Sequence, residues 1–239
     1  MTPSNLFVLV HSPLVGPLTW SLAARALRRQ GHDALVPVVR DRESSMHPYW
    51  EQEVASVAQA LVDAPAERGL VLVGHSGAGA LLPAIGLRTE HATAAYLFVD
   101  AVLPLDGASR LDEMRATAPA LARELRTHLA AGGRFPEWRE EDLVDAIPNA
   151  RLRRRLVAEL QPRPLAFFDE PIPGFAEGPD APCAYLQFGA AYDVAGARAQ
   201  REGWAYRRIK GEHFHMLVDP VGVAGALVDL LASSSHGSR

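Results

Sequence analysis

The residues best suited to covalent chemistry lie in the segment GHSGAG at positions 74–79, directly after an apolar run. Small neighbours of Ser76 allow a sharp turn from strand to helix, which would expose the serine hydroxyl. In the pattern G-x-S-x-G the last glycine is replaced by Ala78, also small, and Gly79 follows it. We therefore predict that Ser76 is a nucleophile and that the Gly77 amide faces a developing oxyanion. The alternative is a serine in a structural turn.

A serine nucleophile needs a base. The late segment GEHFHMLVDP, at positions 211–220, contains two histidines, His213 and His215. Either one is a candidate, and the other would be a pocket residue or a hydrogen-bonded structural residue.

Short apolar runs alternate with segments of helical periodicity along much of the chain. The runs are LFVLV, HDALVPVV, GLVLVGHS, AAYLFVDAVLP, PCAYLQFG and WAYRRIKG. This order predicts an α/β fold, with a doubly wound, mostly parallel sheet covered by helices on both faces. Ligands of such sheets bind beyond the carboxyl ends of the strands. Those ends carry His11 with Ser12, His75 with Ser76, and Asp100.

The alternation of strands and helices is interrupted between Asp106 and about Pro182, where helical segments rich in Arg, Glu and Ala occur instead. We predict a core formed by residues 1–105 and 182–232, a helical cap inserted at 106–181, and a flexible tail at 233–239. A loose surface appendage is the alternative to a cap. Aromatic residues in the insertion, such as Phe135 and Trp138, favour a packed segment.

Composition excludes several classes of function. The chain has 239 residues, 48% of them hydrophobic, and a formal net charge of -4. It has no basic stripe that would suit nucleic acid or an anionic membrane, so the expected partner is a small-molecule substrate. Its single cysteine, Cys183, excludes an internal disulfide and a cysteine-based zinc cluster. We expect a cytoplasmic protein, since the start lacks a signal sequence or membrane span, and we expect no metal or organic cofactor.

The motifs resemble the α/β-hydrolase superfamily over nearly the whole chain, and in particular its small serine esterases and hydroxynitrile lyases. The resemblance rests on a strand followed by HS, then GHSGAG, FVDAVLP, a helical insertion and GEHFHMLVDP. Family members carry the catalytic histidine in a G-x-H-F segment shortly before a proline, which implies His213. The resemblance also implies that His75 packs beneath the serine.

Two aspartates are candidates for the acid that orients His213. Asp193 follows the strand after the insertion, a common family position, but only 20 residues separate it from His213 and they must hold a helix and a strand. Asp193 would otherwise be an acid in the first turn of that helix. Asp100 closes an apolar strand, where some family members, including certain lipases, carry their acid. A buried carboxylate there is costly unless it is paired, so we predict Asp100, with Asp193 as the alternative.

The loop in VHSPLVGP usually supplies the second oxyanion donor in this family, from the second residue after the histidine. Here that residue is Pro13, which has no backbone N–H. Ser12, through its amide or hydroxyl, or Leu14, through its amide, is predicted to replace it. Pro13, Val102 and Trp138 are predicted to contact substrate.

The leading hypothesis is a serine hydrolase that cleaves an ester or thioester of a small to medium apolar acyl group through an acyl-enzyme. A lyase or cyclase that uses the same residues as acid and base is the alternative, and Pro13 keeps it open. A binding protein that retains the fold is a third possibility.

Overall fold

A single parallel sheet organises the computed structural model, which describes residues 5–234. The strand order is β2-β1-β3-β4-β5-β6, and each neighbouring pair is parallel. The strands are β1 (Leu6–Val10), β2 (Asp33–Leu35), β3 (Leu70–His75), β4 (Thr93–Val99), β5 (Cys183–Gln187) and β6 (Ala205–Arg208). The predicted doubly wound α/β fold is thus confirmed.

Helices connect the strands and cover both faces of the sheet. They are α1 (Leu18–Arg29), α2 (Tyr49–Ala60), α3 (Leu82–Arg88), α4 (Arg110–Thr117), α5 (Pro119–Ala130), α6 (Ala150–Val157), α7 (Leu165–Asp169), α8 (Asp193–Arg201), α9 (His215–Val218) and α10 (Pro220–Ser234). Three short 3₁₀ segments cover 76–81, 141–143 and 190–192. None of the helices found between residues 5 and 234 combines the length and apolar character that crossing a membrane would require.

Alternate strand residues form two separate cores, as the period of two in a strand requires. Phe7 and Leu9 of β1 lie in an apolar cluster with residues of α1 and α10. Leu6, Val8 and Val10 of the same strand lie in a second cluster with residues of α2, α3 and α8. Burial on both faces explains why these strands are continuous apolar runs.

The second predicted strand is shorter than the run HDALVPVV suggests. Only Asp33–Leu35 pair with β1, and β2 lies at the edge of the sheet. Pro37 has no N–H to donate to a ladder. The amide of Val39 instead donates to Nε2 of His11, at 3.1 Å. The later part of the run therefore bonds to the loop after β1 and not to a strand.

The segment between β4 and β5 contains α4, α5, α6 and α7, and we call it the helical insertion (residues 106–181). Its own apolar cluster includes Leu111, Leu125 and Phe167, and Leu14 from the loop after β1 packs against that cluster. Helix α10 runs through Ser234, two residues into the predicted tail, and residues 235–239 of that tail lie outside the described residues.

Candidate active site

Ser76 lies at the sharp turn that joins β3 to the following 3₁₀ segment. Its φ is 56°, in the left-handed region that residues with a side chain rarely adopt. The Ser76 carbonyl accepts a hydrogen bond from the amide of Val102 at 3.3 Å. A Cβ atom added at Gly79 would collide with the Val102 carbonyl oxygen. The small residue at 79 is therefore required by the close approach of the two chain segments.

Asp100 occupies the equivalent turn at the end of β4, with a φ of 42°. Its amide donates to the carbonyl of Leu186 at 2.8 Å. The hydroxyl of Tyr185 accepts from the Ala101 amide at 3.1 Å and donates to the Ala101 carbonyl at 2.7 Å. These bonds to the neighbouring strand β5 stabilise a backbone conformation that would otherwise be strained.

The structure brings Asp100 and His213 together. The distance from Asp100 Oδ2 to His213 Nδ1 is 2.8 Å, and Asp100 itself is buried. Its other oxygen accepts from the amides of Phe188, at 2.9 Å, and Gly189, at 3.3 Å. A carboxylate can only accept hydrogen bonds, so Nδ1 carries the proton of the neutral imidazole and Nε2 is the basic nitrogen.

Asp193 is not paired with His213. It is the first residue of α8, where its carboxylate accepts from Gln187 Nε2 and lies 3.1 Å from Arg208 Nη1. His215, the other candidate base, packs its ring against that of Phe188, with centroids 5.4 Å apart. The structure joins His213 to Asp100, whereas Ser76 Oγ bonds to Tyr192 and not to His213, so the catalytic roles of these residues stay predictions.

His75 lies in the core beside the candidate base. Its Nε2 donates to the carbonyl of His213 at 2.9 Å, and the two rings are 4.4 Å apart. The ring also contacts Trp20 edge-on at 6.1 Å. Burial lowers the pKa of His75 well below its usual value, and the neighbouring His213 lowers it further. His75 is therefore neutral and supports the segment that carries His213.

The loop after β1 places a hydroxyl beside the turn at Ser76. The Ser12 Oγ atom lies 3.5 Å from the point that a Cβ on Gly77 would occupy. Ser12 Oγ also accepts from the amide of Leu14 at 3.4 Å, which leaves its own proton free to be donated elsewhere. Of the two predicted loop donors, the Ser12 hydroxyl is thus better placed than the Leu14 amide, because that amide already has a partner.

His11, the first residue after β1, holds the loop that follows this strand. Its Nε2 accepts from the Val39 amide, so Nδ1 carries the proton and donates to the Ser12 carbonyl at 2.9 Å. Burial lowers the pKa of His11 to about 4, which keeps the ring neutral at physiological pH. The ring therefore fixes the backbone of Ser12.

The helical insertion also holds this loop. The amide of Gln161 donates to the Leu14 carbonyl at 2.9 Å, and Arg163 Nη2 donates to the carbonyl of Pro13 at 3.5 Å. Arg163 Nη2 lies 2.6 Å from the carboxylate of Asp41, whose side chain is buried. Pro13 is buried as well. Its rigid ring and these contacts hold the loop in one conformation, and a contact of Pro13 with substrate stays a prediction.

Sequence reasoning missed Tyr192. This residue ends the 3₁₀ segment after β5 and is half-buried. Its hydroxyl lies 3.2 Å from Ser76 Oγ, and its ring stacks on that of His213 with centroids 5.2 Å apart and planes 10° apart. Within the described chain it is the one hydrogen-bond partner of Ser76 Oγ. The only available signal was its position next to Asp193, at the carboxyl end of a predicted strand.

The two remaining predicted substrate contacts differ in position. The backbone amide of Val102 is hydrogen-bonded to the carbonyl of Ser76. Trp138, in the helical insertion, packs edge-on against Phe135 at 5.6 Å and Phe214 at 6.0 Å, and Phe214 is the neighbour of His213. A cavity of about 260 Å³ in the insertion includes none of the candidate catalytic residues. It is lined by Met114, Leu121, Glu124, Leu125, His128 and Phe135.

The sequence matches no protein-family model and no curated protein at a significant level. Solved structures, in contrast, superpose over nearly the full chain. An extracellular α/β-hydrolase from a Paenibacillus species, described as sharing structural and functional homology with tobacco salicylic acid binding protein 2, aligns with a TM-score of 0.74 and 20% identity. The alignment covers 96% of this chain and 98% of that one.

Two further structures show the same likeness. Polyneuridine aldehyde esterase aligns with a TM-score of 0.73 and 17% identity, over 95% of this chain and 99% of that one. Tomato methylketone synthase I, in complex with 2-tridecanone, aligns with a TM-score of 0.72 and 12% identity, over 97% and 99% of the respective chains. Superposition at this coverage, on top of the six-stranded parallel sheet, shows that the chain has the α/β-hydrolase fold.

Proposed function

We propose that this protein is a serine hydrolase that cleaves carboxylic esters through an acyl-enzyme on Ser76. The observation that carries the proposal is the bond between Asp100 and His213, at 2.8 Å, beside a serine in a left-handed turn. That bond directs the basic Nε2 atom of His213 away from Asp100. A serine, a histidine and a buried carboxylate at three adjoining loops fit acyl transfer.

In the proposed reaction, Ser76 Oγ attacks the ester carbonyl carbon while His213 Nε2 takes the hydroxyl proton. Asp100 stabilises the imidazolium that forms, and the two backbone amides on its other oxygen hold the carboxylate in place. Collapse of the adduct breaks the bond to the leaving alcohol, which takes the proton from His213. Water, activated by the same nitrogen, then releases the acid from Ser76.

The oxyanion of the tetrahedral adduct is proposed to bind the amide of Gly77 and the hydroxyl of Ser12. The proximity of Ser12 Oγ to Gly77 supports this pair. A side-chain donor would replace the amide that Pro13 lacks, and His11 and Arg163 hold its loop in place. Loss of one such donor costs roughly 10²–10³ in rate in another hydrolase.

The substrate is proposed to carry a small to medium apolar acyl group. Val102 and Trp138 are the proposed contacts on two sides of the site, and the helical insertion is proposed to cover it as a cap. The insertion touches the loop at Pro13 and Leu14 through both side-chain and backbone bonds, which supports that placement.

Hydrolysis of p-nitrophenyl esters from acetate to decanoate tests this proposal. We expect turnover by the wild type and a loss of about 10³-fold or more in kcat for Ser76→Ala and His213→Ala. His215→Ala is the matched control, because its ring packs on Phe188 instead, and it should retain activity. Full activity of Ser76→Ala would refute the proposal.

A second candidate is a lyase or cyclase that uses the same groups without an acyl-enzyme. It is favoured by one observation, that Pro13 has no N–H and the Leu14 amide is already bonded to Ser12. Product analysis in ¹⁸O-labelled water separates the two candidates. Hydrolysis places the label in the acid product, whereas lysis or cyclisation gives unlabelled products.

A further inference from the structure

Tyr192 contacts the two groups that would move the proton in acyl transfer. Its hydroxyl is 3.2 Å from Ser76 Oγ, and its ring stacks on that of His213 with planes 10° apart. Within the described residues the Tyr192 hydroxyl has no hydrogen-bond partner other than Ser76 Oγ. It is therefore free to change partner when Ser76 reacts.

The strand order places this hydroxyl on the side of Ser76 away from Ser12. Strand β3, which ends at Ser76, lies between β1 and β4, and β5 lies beyond β4. The loop with Ser12 follows β1, and Tyr192 follows β5. An oxyanion held by Ser12 and Gly77 therefore lies toward β1, and Tyr192 faces another substituent of the tetrahedral carbon.

We infer that Tyr192 is a further catalytic residue, whose hydroxyl donates a hydrogen bond to the leaving-group oxygen of an oxygen ester. This inference rests on the proposed function and deepens it. When the adduct collapses, the bond from the acyl carbon to the alcohol oxygen breaks, and the proton on His213 Nε2 moves to that oxygen. Tyr192 keeps its own proton and shares it as a hydrogen bond with the same oxygen, two bonds away from Ser76 Oγ.

The chemistry of the phenol fits a donor and not a base. Burial raises the pKa of Tyr192 above its ordinary value, although the bond to Ser76 acts in the opposite direction. The hydroxyl thus stays protonated at physiological pH. A fixed neutral donor stabilises negative charge that develops on the leaving oxygen.

Donation of a hydrogen bond by Tyr192 favours some leaving groups over others. Sulfur is a weak hydrogen-bond acceptor, so a thioester gains little from the Tyr192 hydroxyl. An activated leaving group such as p-nitrophenolate also gains little, because it departs without help. The Tyr192 hydroxyl should therefore accelerate the hydrolysis of esters of ordinary alcohols more than that of thioesters of the same acyl group.

The test compares wild type with Tyr192→Phe, which keeps the stacked ring and removes only the hydroxyl. Three butyrate substrates are used, namely the ethyl ester, the p-nitrophenyl ester and the S-ethyl thioester. We expect kcat/KM to fall by about 10–100-fold on ethyl butyrate and by less than about threefold on the other two. Tyr206→Phe is the matched control, since its hydroxyl bonds to Gln187 Oε1 at 2.8 Å, and it should show no such difference.

The outcomes separate the two proposals. An equal loss on all three substrates, or none, would overturn the inference about Tyr192 and leave the hydrolase proposal standing. Wild type that hydrolyses none of the three would overturn the hydrolase proposal, and the inference with it.

Discussion

Ser76 and Asp100 occupy equivalent positions on neighbouring strands. The last paired residues of β3 and β4 are His75 and Val99, and the next residue in each strand has a left-handed backbone. Among the described residues other than glycine, Ser76 and Asp100 are the two with positive φ. Strain of this kind persists only where surrounding contacts hold it, and it concentrates at functional sites. Both turns therefore place a side chain beyond the carboxyl ends of the parallel strands β3 and β4.

Gly79→Ala tests whether the turn at Ser76 depends on close packing. The added methyl group would collide with the carbonyl oxygen of Val102, a backbone atom that cannot move aside cheaply. We expect the free energy of unfolding to fall by about 1–3 kcal/mol and esterase activity to fall with it. Chemical denaturation measures the first quantity.

The control for Gly79→Ala is Gly225→Ala in α10, where an added Cβ would meet nothing within 4 Å. That change should stabilise the protein by roughly 0.5–1 kcal/mol, as alanine does inside a helix. Equal effects of the two substitutions would contradict the packing argument.

The parts that the sequence predicted well are those that local patterns encode. Continuous apolar runs predicted the strands that are buried on both faces, and the small residues of GHSGAG predicted the sharp turn after β3. Asp100 was identified because a carboxylate closing an apolar strand needs a partner. The bond of His213 to Asp100 supplies one.

Long-range packing decided the features that sequence reasoning missed. The run HDALVPVV reads as a full strand, yet its later part leaves the sheet because Val39 bonds to His11. Nothing near Tyr192 in the sequence shows that its hydroxyl reaches Ser76, 116 residues away. Likewise, the pairing of Arg163 with Asp41 joins the insertion to the core through residues far apart in the chain.

Arg110→Met tests the buried ion pairs that attach the insertion to α2. Arg110 lies 2.6 Å from Glu53 and 2.9 Å from Glu170, and the side chain of Glu53 is fully buried. Removing the guanidinium leaves two carboxylates in the interior without their cation. We expect the free energy of unfolding to fall by about 3–5 kcal/mol in a denaturant titration.

A matched change for Arg110→Met is Arg126→Met, in the same insertion. Arg126 pairs with Asp169 at 2.8 Å, and both side chains are substantially exposed. Its loss should cost no more than about 1 kcal/mol. If the two variants are equally stable, the buried cluster does not attach the insertion.

Glu113→Gln tests the pH dependence of stability. Burial raises the pKa of Glu113 to about 8, although Arg110 opposes the shift. The folded state then holds a proton that the unfolded chain releases near pH 4.5, so the contribution of Glu113 is present at low pH and is lost as pH rises toward 8. The contribution of Glu113 to stability should fall by up to about 1.4 kcal/mol per pH unit between pH 6.5 and 8.

Between pH 6.5 and 8, the pH dependence of stability reports on Glu113 and not on the buried histidines His11 and His75. The pKa values of His11 and His75 are lowered, so their contributions are lost only as pH falls below about 6.5. Burial also raises the pKa of Glu53, to about 7, which adds to the decline in the lower part of the range. Thermal melts at pH 6.5 and 8 should differ less in Glu113→Gln than in wild type. An unchanged difference would contradict the assignment to Glu113.

The central claim is that Ser76 is a nucleophile whose base is oriented by Asp100. Its most direct test is the rate of labelling by a fluorophosphonate in wild type, Asp100→Asn and Asp193→Asn, with the modified peptide identified by mass spectrometry. We expect a phosphonate on Ser76, a labelling rate about 10²–10⁴-fold lower in Asp100→Asn, and a rate within about twofold of wild type in Asp193→Asn. Labelling at another residue, or equal rates in wild type and Asp100→Asn, would contradict it.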